Sequence, residues 1–207
     1  MRVFVGRVHE LADLASALDE AASGRGSLVL VTGEPGIGKT RLMNELGRVG
    51  RQRGVCLAAG RCWEERGAPP YWPWMQVIRT LGGNLEELVV PGGAKAGARS
   101  TAAAVMPEGE RLRLFDAVGR FLGQASSKRP ILVVLDDLHA WDESSLVLLR
   151  FLADVLAEAR ILVVASYRDA ERRVREHPTS SPSSRGWEGG SHSGVSHQRT
   201  SRRTLRR

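Results

Sequence analysis

The stretch Gly33-Glu34-Pro35-Gly36-Ile37-Gly38-Lys39-Thr40 constrains this chain more than any other. It fits the phosphate-binding pattern G-x-x-x-x-G-K-[ST], with the apolar run Leu28-Val29-Leu30-Val31 before it and a helical pattern from near Lys39 after it. That strand–loop–helix context separates the motif from a glycine-rich turn followed by an incidental Lys-Thr. Gly36 and Gly38 can take positive φ and carry no Cβ to obstruct a phosphate chain. Backbone N–H groups then converge as an anion nest, and the helix N-terminus adds its partial positive charge. In such a loop Lys39 reaches the β- and γ-phosphates and the Thr40 hydroxyl ligates Mg2+. The chain has only three lysines, and one stands at the required position. The expected nucleotide-binding set is Gly33, Glu34, Pro35, Gly36, Ile37, Gly38, Lys39, Thr40 and Arg41.

A second stretch complements the first. Ile131-Leu132-Val133-Val134-Leu135 reads as a buried strand, and Asp136-Asp137 follows at its carboxyl end, about 100 residues after the loop. Open α/β sheets bind ligands outside the carboxyl ends of their strands, so these acids are expected to face the phosphate loop. Asp136 suits a metal-holding role, directly or through water, and Asp137 could orient the attacking water. Asp137 has a plainer reading as the start of a turn or a helix cap. Asp142 is expected to N-cap the helix Glu143 to Ala157 rather than bind metal. A further strand, Ile161 to Ser166, ends at Tyr167-Arg168-Asp169. Arg168 either senses a γ-phosphate or pairs with Asp169 or Glu171 at the surface. His139 has no second ligand at metal spacing and reads as structural.

Between these motifs the pattern alternates strands and helices. Leu11, Leu14, Ala15, Leu18 and Ala21 recur at helical spacing up to Ser23-Gly24. The helix after the loop is expected to bury Leu42, Leu46 and Val49. A strand follows over 54–59, and a helix over 108–125 is expected to bury Leu112, Phe115, Val118 and Leu122. Short, continuously apolar strands in β-α-β order predict a three-layer α/β fold with a mostly parallel sheet. Trp63, Trp72 and Trp74 cluster in 61–82, where they either stack on adenine or, as large aromatics usually do, build core. Pro91 through Gly97 reads as a loop.

The formal charge of +7 would suggest a nucleic-acid partner until it is located. Residues 178–207 hold six Arg and one Glu, or +5, which leaves +2 for residues 1–177. The folded part is close to neutral, so no nucleic-acid reading rests on it. Cys56 and Cys62 make neither a C-x-x-C pair nor a disulfide framework. No run approaches 18 apolar residues and no apolar leader opens the chain, so the expectation is a cytoplasmic protein without a membrane partner.

With both nucleotide motifs located, residues 4–170 resemble the AAA-type ATPase module of the signal-transduction (STAND) class. That module occurs in bacterial regulators with LuxR-type ends and in adenylate-cyclase-associated sensors. Phe4-Val5-Gly6-Arg7 resembles the family's hydrophobic-Gly-Arg motif, which implies that Arg7 contacts nucleotide near the base. Gly33 to Thr40 is similar to its Walker A, Tyr71-Trp72-Pro73-Trp74 to its YWPW stretch, Asp136 to His139 to its Walker B, and Ser166 to Asp169 to its sensor. The resemblance implies a P-loop NTPase with ATP and Mg2+ as cofactors, Thr40 and Asp136 on the metal, Asp137 and Arg168 in catalysis, and self-association through the ATPase domain. Asp137 stands where the wider family has Glu, which implies slow hydrolysis and suits a switch.

After about Pro178 the pattern stops. Residues 178–207 form a basic Ser/Arg/Gly/His-rich segment expected to be disordered, either an out-of-frame end or a tail for phosphate contacts. The expected organisation is therefore a partial ATP-binding domain over 1–177 and a tail over 178–207. The implied strand order is 5-1-4-3-2, and loss of strand five would leave strand one a bare edge. The leading function is an ATP-binding switch in a transcription or signalling regulator. The alternatives are a small-molecule P-loop kinase, which would transfer phosphate to an acceptor other than water, and a remnant that binds nucleotide weakly.

Overall fold

Alternation along the strands sets the layering. The computed structural model describes residues 7–62, 69–89, 106–168 and 195–198. Within them β1 (Ser27–Gly33), β2 (Cys56–Arg61), β3 (Ile131–Asp136) and β4 (Ile161–Arg168) form a parallel sheet in the order β2-β3-β4-β1. Successive side chains on a strand point to opposite faces. Ile131, Val133, Leu135, Ile161, Val163 and Ala165 therefore bury on one face, and Leu132, Leu162 and Val164 on the other. Both faces are covered, which is why these strands read as unbroken apolar runs.

On the second face, α1 (Val8–Ala22) and α2 (Lys39–Gln52) press Leu14, Leu18, Leu42, Met43 and Leu46 onto Val29 and Val31. On the first lie α3 (Trp72–Thr80), α4 (Leu85–Val89), α5 (Glu108–Lys128) and α6 (Glu143–Val155), which bury Trp74, Ile78, Phe115, Leu122 and Leu148. The result is the three-layer α/β architecture expected of a P-loop NTPase. No described helix is long and apolar enough to cross a membrane.

Several boundaries differ from expectation for local reasons. The second strand starts at Cys56, not Gly54. Gly54 is left-handed (φ 76°) and the Val55 N–H returns to the Gly50 carbonyl at 2.9 Å, so both residues close the end of α2. In α5 the buried stripe runs through Leu114, while Leu112 is 52% exposed. In α2 Val49 is half-buried, and Met43 and Gly50 take the core positions. α6 ends at Val155 and tightens into a 3-10 turn, Leu156–Glu158.

Trp74 settles its own alternative: it is fully buried between α3 and α6, so it builds core and offers no surface to adenine. Trp63 lies outside the described residues, as does the 91–97 stretch. The bare edge expected beside β1 is also corrected. β5 (Val195–Gln198), four residues of the stretch expected to be disordered, runs antiparallel to β1, with Leu28 opposite Gln198 and Val31 opposite Val195. An unpaired edge is a template for any extended segment that reaches it.

Gly26 tests the join between this sheet and the helices. A Cβ there would stand 2.1 Å from the Leu156 carbonyl oxygen, 2.7 Å from that of Ala159 and 2.8 Å from that of Ile161. These are backbone atoms and cannot rotate away. Gly26→Ala is expected to destabilise the fold by about 3 kcal/mol, read as a lowered denaturant midpoint. Gly109→Ala, with no atom within 4 Å of the new Cβ, is the control and should leave the midpoint unchanged or raise it slightly.

Candidate functional site

β1 delivers the chain to Gly33, where register places it directly beside Arg168 at the end of β4. The turn that follows needs glycine: Gly36 (φ 78°) and Gly38 (φ 94°) are both left-handed, and a Cβ on either would meet no atom within 4 Å. Gly38 N-caps α2, so the loop ends at the positive pole of a 14-residue helix. Lys39 is its first residue and is buried. Its Nζ donates to the carbonyl oxygens of Gly33 at 2.8 Å and Glu34 at 3.0 Å, closing the loop on itself. Glu34, Pro35 and Ile37 are exposed along the rim, as is Arg41.

The second motif meets the first at Thr40. Even-numbered residues of β3 face α2, so Asp136 points toward the start of that helix. Thr40 Oγ1 donates to Asp136 Oδ2 at 3.1 Å. The carboxylate's other oxygen, Oδ1, accepts from Ser166 Oγ at 2.6 Å, and Trp141 Nε1 donates to the Asp136 carbonyl at 3.1 Å. Ser166 Oγ also accepts the Asp137 N–H at 2.8 Å. One buried serine on β4 thus ties both acids of β3 in place. This role for Ser166 escaped the sequence reading. The available signal was a hydroxyl ending an apolar strand in the middle of the sheet.

Asp137 itself is left-handed (φ 55°, ψ 55°) and opens the 3-10 turn Leu138–Ala140, with no hydrogen bond from its side chain capping that turn. Asp142 does cap α6, accepting from the Ser145 N–H at 2.9 Å and the Ser145 hydroxyl at 2.6 Å. Arg7 precedes α1, and its carbonyl accepts the Leu11 N–H at 3.1 Å. Among the described residues no hydrogen bond or ion pair ties Arg7 to the loop. For Arg168 only the backbone is described.

Arg61 was missed as well. It ends β2 in register with Asp136 and on the same face of the sheet. The Gln76 amide holds its peptide on both sides, donating to the Arg61 carbonyl at 2.9 Å and accepting its N–H at 3.4 Å. Arg61, Arg51, Asn44, Thr40 and Asp136 line a cavity of about 180 Å3 between α2 and the strands β2 and β3. Two arginines, Arg51 and Arg61, and one carboxylate, Asp136, line it, an excess of positive charge suited to an anion.

The donor set also discriminates among metals. Among the described residues no group of three or more His, Cys, Asp or Glu converges. One carboxylate and one hydroxyl suit Mg2+, which keeps several waters and completes its shell with phosphate oxygens.

The family profile described as "AAA ATPase domain" matches residues 3–164. An uncharacterized protein of Rhizobium meliloti (strain 1021), R02095, is 25% identical over 195 residues, covering 79% of this chain and 18% of that protein. The chain therefore spans under a fifth of that relative's length. The solved structure of C. elegans PCH-2 aligns with a TM-score of 0.42 at 13% identity, covering 80% of this chain and 39% of that one.

Proposed function

The chain belongs to the AAA ATPase domain family, and from that premise we propose that it is an ATP-binding switch module with slow Mg2+-dependent hydrolysis, working within a cytoplasmic signalling or transcription regulator. The observation that carries the reading is the 3.1 Å contact between Thr40 and Asp136. It joins the glycine loop to the acid-tipped strand across 96 positions of sequence, which supports reading both groups as donors to one magnesium ion. Bound there, Mg2+ would neutralise charge on the β- and γ-phosphates.

The chain's own residues divide the remaining work. The amides of Gly33 through Thr40 and the pole of α2 cradle phosphate oxygens. The Lys39 ammonium exchanges its carbonyl partners for phosphate, gaining a charge-assisted bond. Arg41 lies at the same helix pole, and Arg7 is assigned to the base. Asp137 orients the attacking water, and Arg168, beside Gly33, senses the γ-phosphate. Aspartate is one methylene shorter than glutamate and holds water at a longer reach, so turnover is slow and the bound nucleotide defines a state. ATP-driven self-association through residues 1–177 completes the switch.

Replacing Asp136 tests the assignment. With the fluorescent analogue mant-ATP, the parent should bind at least about tenfold more tightly with Mg2+ than in EDTA, a gain of about 1.4 kcal/mol. Asp136→Asn should keep the EDTA affinity within twofold, lose most of the magnesium gain and slow phosphate release. An unchanged magnesium gain in this variant would remove Asp136 from the metal site.

A further inference from the structure

We propose that His139 is a positioning residue that fixes the Asp137 carboxylate for its work on the attacking water, a role that rests on the hydrolytic reading above. Asp137 is one of two non-glycine residues with positive φ among those described, the other being Tyr71. Backbone held in such a region persists only where the surroundings over-determine it, and these positions gather at functional sites. The main chain of Asp137 is held on both sides: its N–H donates to Ser166 Oγ at 2.8 Å, and its carbonyl accepts the Ala140 N–H at 2.9 Å. Its side chain is less enclosed, at 40% exposure.

The 3-10 turn then folds His139 back over the acid. The imidazole is 11% exposed, and Nδ1 lies 3.7 Å from Asp137 Oδ1. Nδ1 is buried with no hydrogen-bond partner. A buried ring nitrogen without a partner is costly, and the carboxylate oxygen facing it is the acceptor that would satisfy it. The gap exceeds hydrogen-bond length by roughly half an ångström to one ångström. Closing it takes a change of side-chain torsion at Asp137 or His139. The turn that carries His139 is itself anchored, because Cys62 Sγ donates to the Ala140 carbonyl at 2.8 Å and the Leu138 and Trp141 side chains are buried.

An Nδ1–H donor on one carboxylate oxygen would fix the plane of the carboxylate and so the direction in which the group meets water. Orientation of this kind matters most when the arm is short, as Asp is relative to Glu. The imidazole forms no bond to nucleotide and passes no proton in this scheme; it acts through Asp137.

The test uses the full chain. Single-turnover ATP hydrolysis and mant-ATP affinity, both with Mg2+, are compared for the parent, His139→Ala, His139→Asn, Asp137→Asn and the His139→Ala/Asp137→Asn pair. His139→Ala should slow hydrolysis about tenfold with affinity within twofold, a loss confined to the reacting state. His139→Asn, whose amide can place an N–H near the Nδ1 position, should recover most of the rate. The double variant should be no slower than Asp137→Asn alone, since the two residues act as one unit. A readout independent of turnover comes from ring-nitrogen NMR of labelled histidine. His139 should carry its proton on Nδ1, and that signal should shift in Asp137→Asn. A parental rate in His139→Ala, a joint loss of rate and affinity, or an Nδ1 indifferent to Asp137→Asn would overturn the proposal. Should the parent itself fail to hydrolyse ATP, the hydrolytic reading falls, and the NMR arm alone decides whether the pairing exists.

Discussion

Lys39→Ala is expected to weaken Mg-ATP binding by about a hundredfold or more, which is about 2.7 kcal/mol. Two losses combine in this one side chain. In the proposed binding mode the ammonium is the loop's own cation for the β- and γ-phosphates, and bonds from an ionised donor to phosphate are roughly twice as strong as neutral ones. The same group bridges the Gly33 and Glu34 carbonyls at 2.8 and 3.0 Å and so ties the loop together. Lys39→Arg should rescue little, since a planar guanidinium replaces a compact point charge in a buried position. Thermal melting without nucleotide should fall as well, because the Gly33 carbonyl left without its donor is buried at the end of β1. Titration of parent and variant with mant-ATP decides the matter. Equal affinity in Lys39→Ala would mean that nucleotide binds elsewhere.

Trp74→Ala carries the largest expected effect on stability. The side chain is completely buried, meets Trp141 edge-on at a ring separation of 6.3 Å, and donates through Nε1 to the Ser145 carbonyl at 3.0 Å. Truncating a buried tryptophan removes transfer energy and leaves a cavity, together about 3–5 kcal/mol. Much of a small domain's total stability would be lost. Trp74→Phe refines the account: it keeps most of the apolar volume but leaves the Ser145 carbonyl without the indole donor, for a cost of about 1–2 kcal/mol. Urea midpoints for the three proteins should fall in the order parent, Phe, Ala. Any Trp74→Phe that remains folded should bind mant-ATP with parental affinity, since the ring serves the core. A selective loss of nucleotide affinity without destabilisation would return Trp74 to the binding surface.

The nucleotide motifs were legible because each is a local pattern with a local cause. Gly36 and Gly38 are read directly as positions of positive φ, and both adopt it. The strands β3 and β4 are read from runs of apolar residues, because a parallel sheet covered on both faces leaves no polar position to interrupt them. Asp142 as a cap follows from its place just before a helical pattern, and the Ser145 N–H bears it out. Leu112 failed for a reason of the same scale. The stripe through Phe115, Val118 and Leu122 fits either Leu112 or Leu114 as its outer member, and only packing against α4 and α6 decides that Leu114 is the one buried.

Ser166, Arg61 and His139 were out of reach for a different reason. Arg61 belongs to no motif, and the motifs that hold Ser166 and His139 assign neither of them a role. Ser166 matters because β4 lies beside β3, and Arg61 because β2 ends level with Asp136 on its other side. His139 matters because an unusual backbone angle at Asp137 turns a short 3-10 segment back over the acid. Such relations are set by strand order and by one left-handed residue, and periodicity cannot express either.

The sequence alone determined that this chain makes a covered parallel sheet with a phosphate loop after its first strand and two acids at the end of its third. Those features follow from backbone conformation, apolar runs and residue type within a few positions. The tertiary structure decided which polar groups converge on those acids, which tryptophan became core, and that the outer edge of β1 is met by Val195–Gln198. Each of these depends on segments distant in sequence arriving side by side, which sheet pairing and burial bring about and local propensity does not.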